Sequence, residues 1–315
     1  MPFFRPKNGG PEQPPDVKMP QQSARITTDD PQASQHALEI GQLVPAALRR
    51  LQSLSDSKSF TSDLTVNEFA LLRSSGLQPI CQVAGTAVYR IGYQPMPYGG
   101  SQELTVISNA FNETRNLAVG RLQQEAHVAH ADAVVGTRVT QGYFDSESGL
   151  IEFSLVGTAV KSLDGRLLRK KDNAAILTTL SGQDLHLLLE NGFVPIGLVG
   201  ATSCYLATLS PYTFQQMYSL IGGNMMNFEI KEFTDGFYAS RKMVMRSVER
   251  AARAFGAKGI IDVKFRSAMN SYQMQGLGSE NVGAVAFTTH VLATAVAEPR
   301  EANIPTQKKI LFIEP

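Results

Sequence analysis

Apolar positions set the first division of the chain. From residue 34 to 57, Leu38, Leu43, Ala46, Leu51 and Leu54 recur at helical spacing, and Pro45 is placed to kink or split the helix. A short helix follows at 64–72, closed by Gly76. β-rich sequence then runs from Ile80 to Ile91, with Ile80, Val83, Ala87 and Val88 as its apolar positions.

The pattern then returns. Leu64-Thr65-Val66-Asn67-Glu68-Phe69-Ala70-Leu71-Leu72 aligns with Leu180-Ser181-Gly182-Gln183-Asp184-Leu185-His186-Leu187-Leu188. Each opens with a hydroxyl and has a carboxylate three residues on, the signature of a capping box. Each ends on a glycine, Gly76 or Gly192, suited to the left-handed position after a helix. The same spacing carries Pro79-Ile80 onto Pro195-Ile196, Thr86 onto Thr202 and Tyr89 onto Tyr205, which predicts a second strand at Val194–Leu206.

The later parts of the two copies also correspond. Arg115 and Arg241 stand at the head of long helices, the second with an apolar stripe of Val244, Val248, Ala251 and Phe255. Each helix leads into a small-residue turn and a strand, Ala131–Gly136 and Ala257–Asp262. Hairpins follow through Asp145–Gly149 and Gln275–Asn281, and the last strands end on Gly157-Thr158-Ala159-Val160 and Ala293-Thr294-Ala295-Val296. The expected fold is α+β: two tandem two-layer domains, each a small antiparallel or mixed sheet covered by a long helix. Each has a βαββ core with a short helix before it. The last strand of the first copy, Ile151–Val160, is apolar on much of both faces, which points to burial by assembly.

These residues carry a resemblance. The run ending in Ala131-Asp132-Ala133-Val134-Val135-Gly136, with Val156-Gly157-Thr158-Ala159-Val160-Lys161, resembles the YbjQ-like family, which carries a heavy-metal-binding label. The resemblance implies a dodecin-subunit-like fold and ring assembly. It spans about 78–162 closely and 194–297 more distantly. In the second copy Asp262 and Ala293 stand where the first has glycines, and extra residues lie at 211–233 and 270–283.

The expected organisation is a disordered proline-rich tail at 1–33, where seven of the 16 prolines lie, and a helical segment at 34–60. The first YbjQ-like domain takes 61–165, a linker 166–179, the second domain with its insertions 180–298, and a C-terminal tail or strand 299–315. The linker carries Arg166, Arg169, Lys170 and Lys171, read as a solvated segment or as a contact for an acidic partner.

Composition narrows the function. A net charge of +1 gives no electrostatic case for nucleic acid. No stretch approaches the roughly 18 apolar residues of a membrane span, and the polar N-terminus lacks a secretory core, so a cytoplasmic location is expected. Cys81 and Cys204 read as small buried hydrophobes.

The family label implies metal ligands. His127 and His130 share one side of the first long helix, with Asp132 just beyond, and form the best metal-ligand cluster. The second copy has Arg253 and Gly256 at the matching places, so the pair is not part of the repeat. Glu125 and Glu249, on the long helices, read as solvent-facing. No G-x-S-x-G or H-E-x-x-H occurs, and Gly276-Leu277-Gly278 is no strand-to-helix phosphate loop. For partners, the expected anchors are Phe3 and Phe4 in the tail, Phe214, Met217, Tyr218, Met225 and Met226 in the 211–233 insertion, and Phe312 in an apolar C-terminal run.

The sequence thus predicts a non-enzymatic, ring-forming structural or interaction protein, a homo-oligomer without a cofactor. The alternative is a metal- or small-ligand-binding oligomer with sites between subunits.

Overall fold

The computed structural model describes residues 30–57, 60–95, 100–145, 149–163, 174–218, 227–273 and 282–298. Two helices, α1 (Pro31–Glu39) and α2 (Pro45–Ser57), precede the first sheet, with Pro45 at the first turn of α2. The chain splits at this proline rather than bending through it, because proline fits a helix start, where no amide partner is needed.

α3 (Val66–Ser74) leads into β1 (Leu77–Arg90). Next come β2 (Gln102–Glu103), α4 (Thr105–Val128), β3 (Ala133–Asp145) and β4 (Leu150–Ser162). β5 (Ile176–Leu177), α5 (Gly182–Glu190), β6 (Val194–Thr208), α6 (Pro211–Tyr218), α7 (Lys231–Ala254), β7 (Gly259–Gln273) and β8 (Val282–Ala297) complete the fold. The result is α+β, with two four-stranded sheets packed against long helices, in the orders β1-β4-β3-β5 and β2-β6-β8-β7.

The short helices are capped as their sequences require. Thr65 Oγ1 accepts from Glu68 N at 3.3 Å, and Glu68 Oε2 accepts from Thr65 N at 2.7 Å, a complete box. In α5 Ser181 Oγ accepts from Asp184 N at 3.1 Å, but the Asp184 carboxylate bonds the Ser181 hydroxyl, so the box is half closed. Gly76 and Gly192 adopt φ of 73° and 78°, the left-handed turn a glycine permits.

The long helices begin about three turns before Arg115 and Arg241, at Thr105 and Lys231. Their N-caps, Leu104 and Ile230, make no side-chain capping bond. The α4 start is set by the burial of Leu104 and carries no local signature, whereas at α7 Ile230 is half-buried and Glu232 stands in the first turn. The start of α7 also takes up the last residues of the expected insertion, and α6 forms from its first. The expected linker likewise contains β5, whose Ile176 and Leu177 are buried against the first sheet.

The core is layered. Cys81, Val83, Ala87, Phe153 and Leu155 of the first sheet meet Ala118, Leu122 and Ala126 of α4. A Cβ at Gly85 would lie 2.1 Å from the Ala118 carbonyl oxygen, so helix and strand touch backbone to backbone. In the second sheet Val199, Ala201, Val291 and Ala293 meet Val244, Val248 and Ala252 of α7. The opposite flank of α4 runs along β6, and Leu198 and Leu292 join the cluster around α4. The second sheet is thereby held between two long helices.

Candidate functional site

The features that set this chain apart lie where its two halves meet, and at the matching surfaces left open. The inner junction has three parts. First, residues 176–180 lie along the edge of β3. Ile176 N donates to Asp132 O at 2.9 Å, Thr178 N to Val134 O at 3.0 Å, and Gly136 N to Leu180 O at 2.6 Å. Gly136 reaches its partner from a left-handed φ of 65°.

Second, α3 packs on α5. A Cβ at Gly182 would lie 3.0 Å from Glu68 Cβ and 3.1 Å from Leu72 Cδ1, while Ser75 Oγ meets His186 Nδ1 at 2.5 Å. Each contact pairs an early residue of α5 with a later one of α3. The two helices are therefore related head to tail and not by a two-fold axis.

Third, α4 seals the edge of β6. Asn112 Nδ2 donates to Thr202 O at 3.0 Å and its Oδ1 accepts from Thr202 N at 2.9 Å. Ser108 Oγ accepts from Cys204 N at 2.8 Å, and Leu104 N donates to Cys204 O at 2.8 Å. Arg115 lies below, fully enclosed. Its guanidinium donates to Asn112 Oδ1 at 2.7 Å, while Nε has no hydrogen-bond partner, and burial draws its pKa down to about 10. The ring of His290 stands edge-on to Phe111 at 4.9 Å and bonds Thr202 Oγ1 through Nδ1 at 3.0 Å. Burial, with lesser contributions from Arg115 and Arg266, pushes His290 down to about 3. Nothing in the sequence around His290 signalled this, because its partners come from distant segments.

The edge of β1 is sealed by side chains over part of its length. Glu125 Oε2 accepts from Ala84 N at 2.8 Å and from Arg50 at 2.5 Å. Arg50 donates to Gln82 O at 3.0 Å, and Arg121 to Thr86 O. Glu125 is 5% exposed, which corrects its expected solvent-facing position; Glu249 is exposed as expected. The carboxylate is buried because the strand edge and Arg50 supply its partners.

A polar cleft lies at the junction, lined by Asp63, Glu68, Arg138, Asp184, Asp262 and Lys264. Arg138 faces Asp63 at 3.6 Å and Lys264 faces Asp262 at 3.4 Å. The other two carboxylates, Glu68 and Asp184, accept from the hydroxyls of their own helix caps, so the cleft is acidic and each of its carboxylates is engaged within the fold.

The proposed metal ligands stand apart in their bonding. His127 and His130 are both exposed, and Asp132 is 6% exposed with its carboxylate accepting from Ser162 N at 2.9 Å. Among the described residues no group of three His, Cys, Asp or Glu side chains could hold a metal ion, so no metal chemistry is derived from these three. Cys81 and Cys204 are free and buried, and burial pushes the Cys204 thiol up to about 11. Of the expected partner anchors, Phe214 and Met217 are both half-buried on α6, and Tyr218 ends that helix. Phe3, Phe4, Met225, Met226 and Phe312 lie outside the described residues, as does the basic cluster at 166–171. No helix among the described residues is long and apolar enough to cross a membrane.

Comparison with known proteins gives the context. Residues 98–162 match the YbjQ family, described as "Putative heavy-metal-binding". The match takes in α4, β3 and β4 and does not extend into the second half. The chain is also 35% identical over 236 residues to the encapsulin nanocompartment protein Rv1762c of Mycobacterium tuberculosis, covering 75% of this chain and 87% of that protein. At that identity and coverage, this chain belongs to the same family as the Mycobacterium tuberculosis encapsulin nanocompartment protein.

Proposed function

We propose that this chain is a non-enzymatic structural protein of an encapsulin nanocompartment, and that it works as a ring-forming homo-oligomer of two YbjQ-like domains. The observation that carries the compartment is the relative, whose name places it with encapsulin and whose length this chain covers almost throughout. The described geometry fits an assembly role. The polar groups Asn112, Thr202 and Ser108 at the junction, and buried Glu125 at the edge of β1, are spent on sealing strand edges, which is structural work. The free surfaces are long and partly apolar: β7 ends its sheet with Val263, Phe265 and Met269 exposed.

The domains proposed are 61–165 and 180–298. Shell or cargo contacts fall to the flanking segments and to the 211–233 region around Phe214 and Met217. The test is co-expression with an encapsulin shell protein, followed by sedimentation and negative-stain imaging. Co-sedimentation with assembled shells at a fixed ratio is expected. Shells that form and leave this protein in the soluble fraction would sink the compartment reading. Metal analysis of the same fractions tests the alternative, since stoichiometric metal lost in His127→Ala/His130→Ala would establish it.

A further inference from the structure

We infer that the head-to-tail junction inside one chain is repeated between chains: residues 60–64 of a second copy pair with the edge of β7, as residues 176–180 pair with the edge of β3. The inference rests on the homo-oligomeric part of the reading above and specifies its interface.

The inner junction has a donor side and an acceptor side. The second half supplies the segment 176–180, the start of α5 and the edge of β6. The first half supplies the edge of β3, the flank of α3 and the flank of α4. A head-to-tail contact uses two different surfaces, so each chain keeps one of each unused. The first half keeps residues 60–64, the start of α3 and the edge of β1 after Thr86, where the side-chain seal from Glu125, Arg50 and Arg121 ends. The second half keeps the edge of β7, the flank of α5 and the outer flank of α7.

The unused donor side is already shaped for this. Leu180 N donates to Thr178 Oγ1 at 2.9 Å, and Leu64 N donates to Ser62 Oγ at 3.0 Å, the same turn at the same place. Thr179 bonds Thr294 at 2.9 Å, and Asp63 accepts from Thr158 at 2.8 Å, each fixing the segment to its own sheet. The segment 176–180 thus has two sets of partners, its own sheet and a neighbouring strand edge. Among the described residues, 60–64 have the first set only. Phe60, matching buried Ile176, is 57% exposed, and Val66, matching Gly182, is 85% exposed.

The acceptor side matches as well. β7 is the terminal strand of its sheet over 15 residues, where β3 carries β5. Asp262 holds a φ of 50°, the left-handed geometry that lets Gly136 N reach Leu180 O, although aspartate adopts it less readily than glycine. On α7, Phe237 and Arg241 stand where Phe111 and Arg115 stand on α4. Arg115 is buried under β6, whereas Arg241 is exposed and rests over the Phe265 ring at 5.8 Å. A second copy's β1 would cover it. The strand addition gives the contact its register, since each main-chain bond fixes one residue against one other.

The inner junction also supplies the test. Gly182 and Glu68 approach within Cβ–Cβ distance of a disulfide, about 3.5–4.5 Å with small adjustment. Their counterparts across chains are Val66 and Asp184, both exposed. The Val66→Cys/Asp184→Cys variant is oxidised and run without reductant. A ladder of covalent dimers, trimers and higher species is expected. A mixture of the two single variants should stop at the dimer, and each alone should give no link. A double variant that stays a single-chain band overturns the interface, as do single variants that link to themselves, which would mean a two-fold contact. Light scattering of the unmodified protein separates this from the wider reading. A multi-chain mass with no link in the double variant rejects the interface alone, while a mass of 34.2 kDa rejects the interface and the oligomer together.

Discussion

Asn112 and Thr202 exchange two hydrogen bonds across 90 residues of sequence, the asparagine amide taking the place of a neighbouring strand. A carboxamide presents one donor and one acceptor on one edge, as a peptide group does. It therefore satisfies both main-chain groups of Thr202 and closes the edge of β6 beside the short pairing with β2. Replacing Asn112 by leucine leaves the Thr202 amide and carbonyl unpaired and strips the Arg115 guanidinium of its partner. The expected loss is about 2–4 kcal/mol, read from the midpoint of urea unfolding. A loss below about 0.5 kcal/mol would mean water reaches this edge and the seal is not structural.

Two glycines, one at the contact of β1 with α4 and one on the exposed face of α4, should behave oppositely. Gly85 meets the backbone of α4 so closely that an alanine Cβ would sit 2.5 Å from Leu122 N. Gly85→Ala must push α4 off the first sheet, with an expected loss of about 3 kcal/mol or more. Gly120, inside α4, has nothing within 4 Å of its Cβ position. Gly120→Ala should raise stability by about 0.5–1 kcal/mol, since glycine weakens a helix interior. Thermal unfolding of both variants gives the signs directly, and equal shifts would mean α4 is not anchored at Gly85.

What was legible in the sequence was local. The capping hydroxyls Thr65 and Ser181, the closing Gly76 and Gly192 and the periodic stripe of α7 all act within a few residues, so spacing revealed them. The start of α4 at Leu104 has no capping side chain, so the sequence pattern puts the helix head three turns late, at Arg115. Glu125 resembled a surface carboxylate because its partners, Ala84 N and Arg50, lie far away in sequence. β5 was hidden in a polar linker, since two residues of strand make no pattern. The junction was illegible for the same reason throughout: each half supplies one side of every bond.

Asp262 offers a cleaner test of backbone strain. Its φ of 50° is one that glycine holds freely, as Gly136 does at the matching turn. Asp262→Gly should stabilise the chain by up to about 1 kcal/mol, less whatever the contact with Lys264 at 3.4 Å contributes. Asp262→Ala keeps the strain and loses the contact, so it should be the least stable of the three. Urea midpoints ranking glycine below alanine would show that the turn is not held left-handed in solution.

His290 gives the fold a defined acid sensitivity. Its ordinary value of 6.5 is lowered to about 3, first by burial and then by Arg115 and Arg266. Between these two values the unfolded chain binds a proton that the folded chain refuses. Folding is therefore favoured in full above pH 6.5, and stability falls as the pH drops toward 3. The slope is about 1.4 kcal/mol per pH unit for this one group. His290→Gln removes the titration while leaving an amide able to meet Thr202 Oγ1. At pH 7 the variant should be the less stable, because it loses the packing against Phe111. By pH 4.5 the difference should have narrowed by roughly 2 kcal/mol, measured by urea unfolding at a fixed protein concentration. Parallel stability curves for the two proteins would show that His290 keeps its ordinary affinity for protons, and hence that the α4–β6 junction admits water.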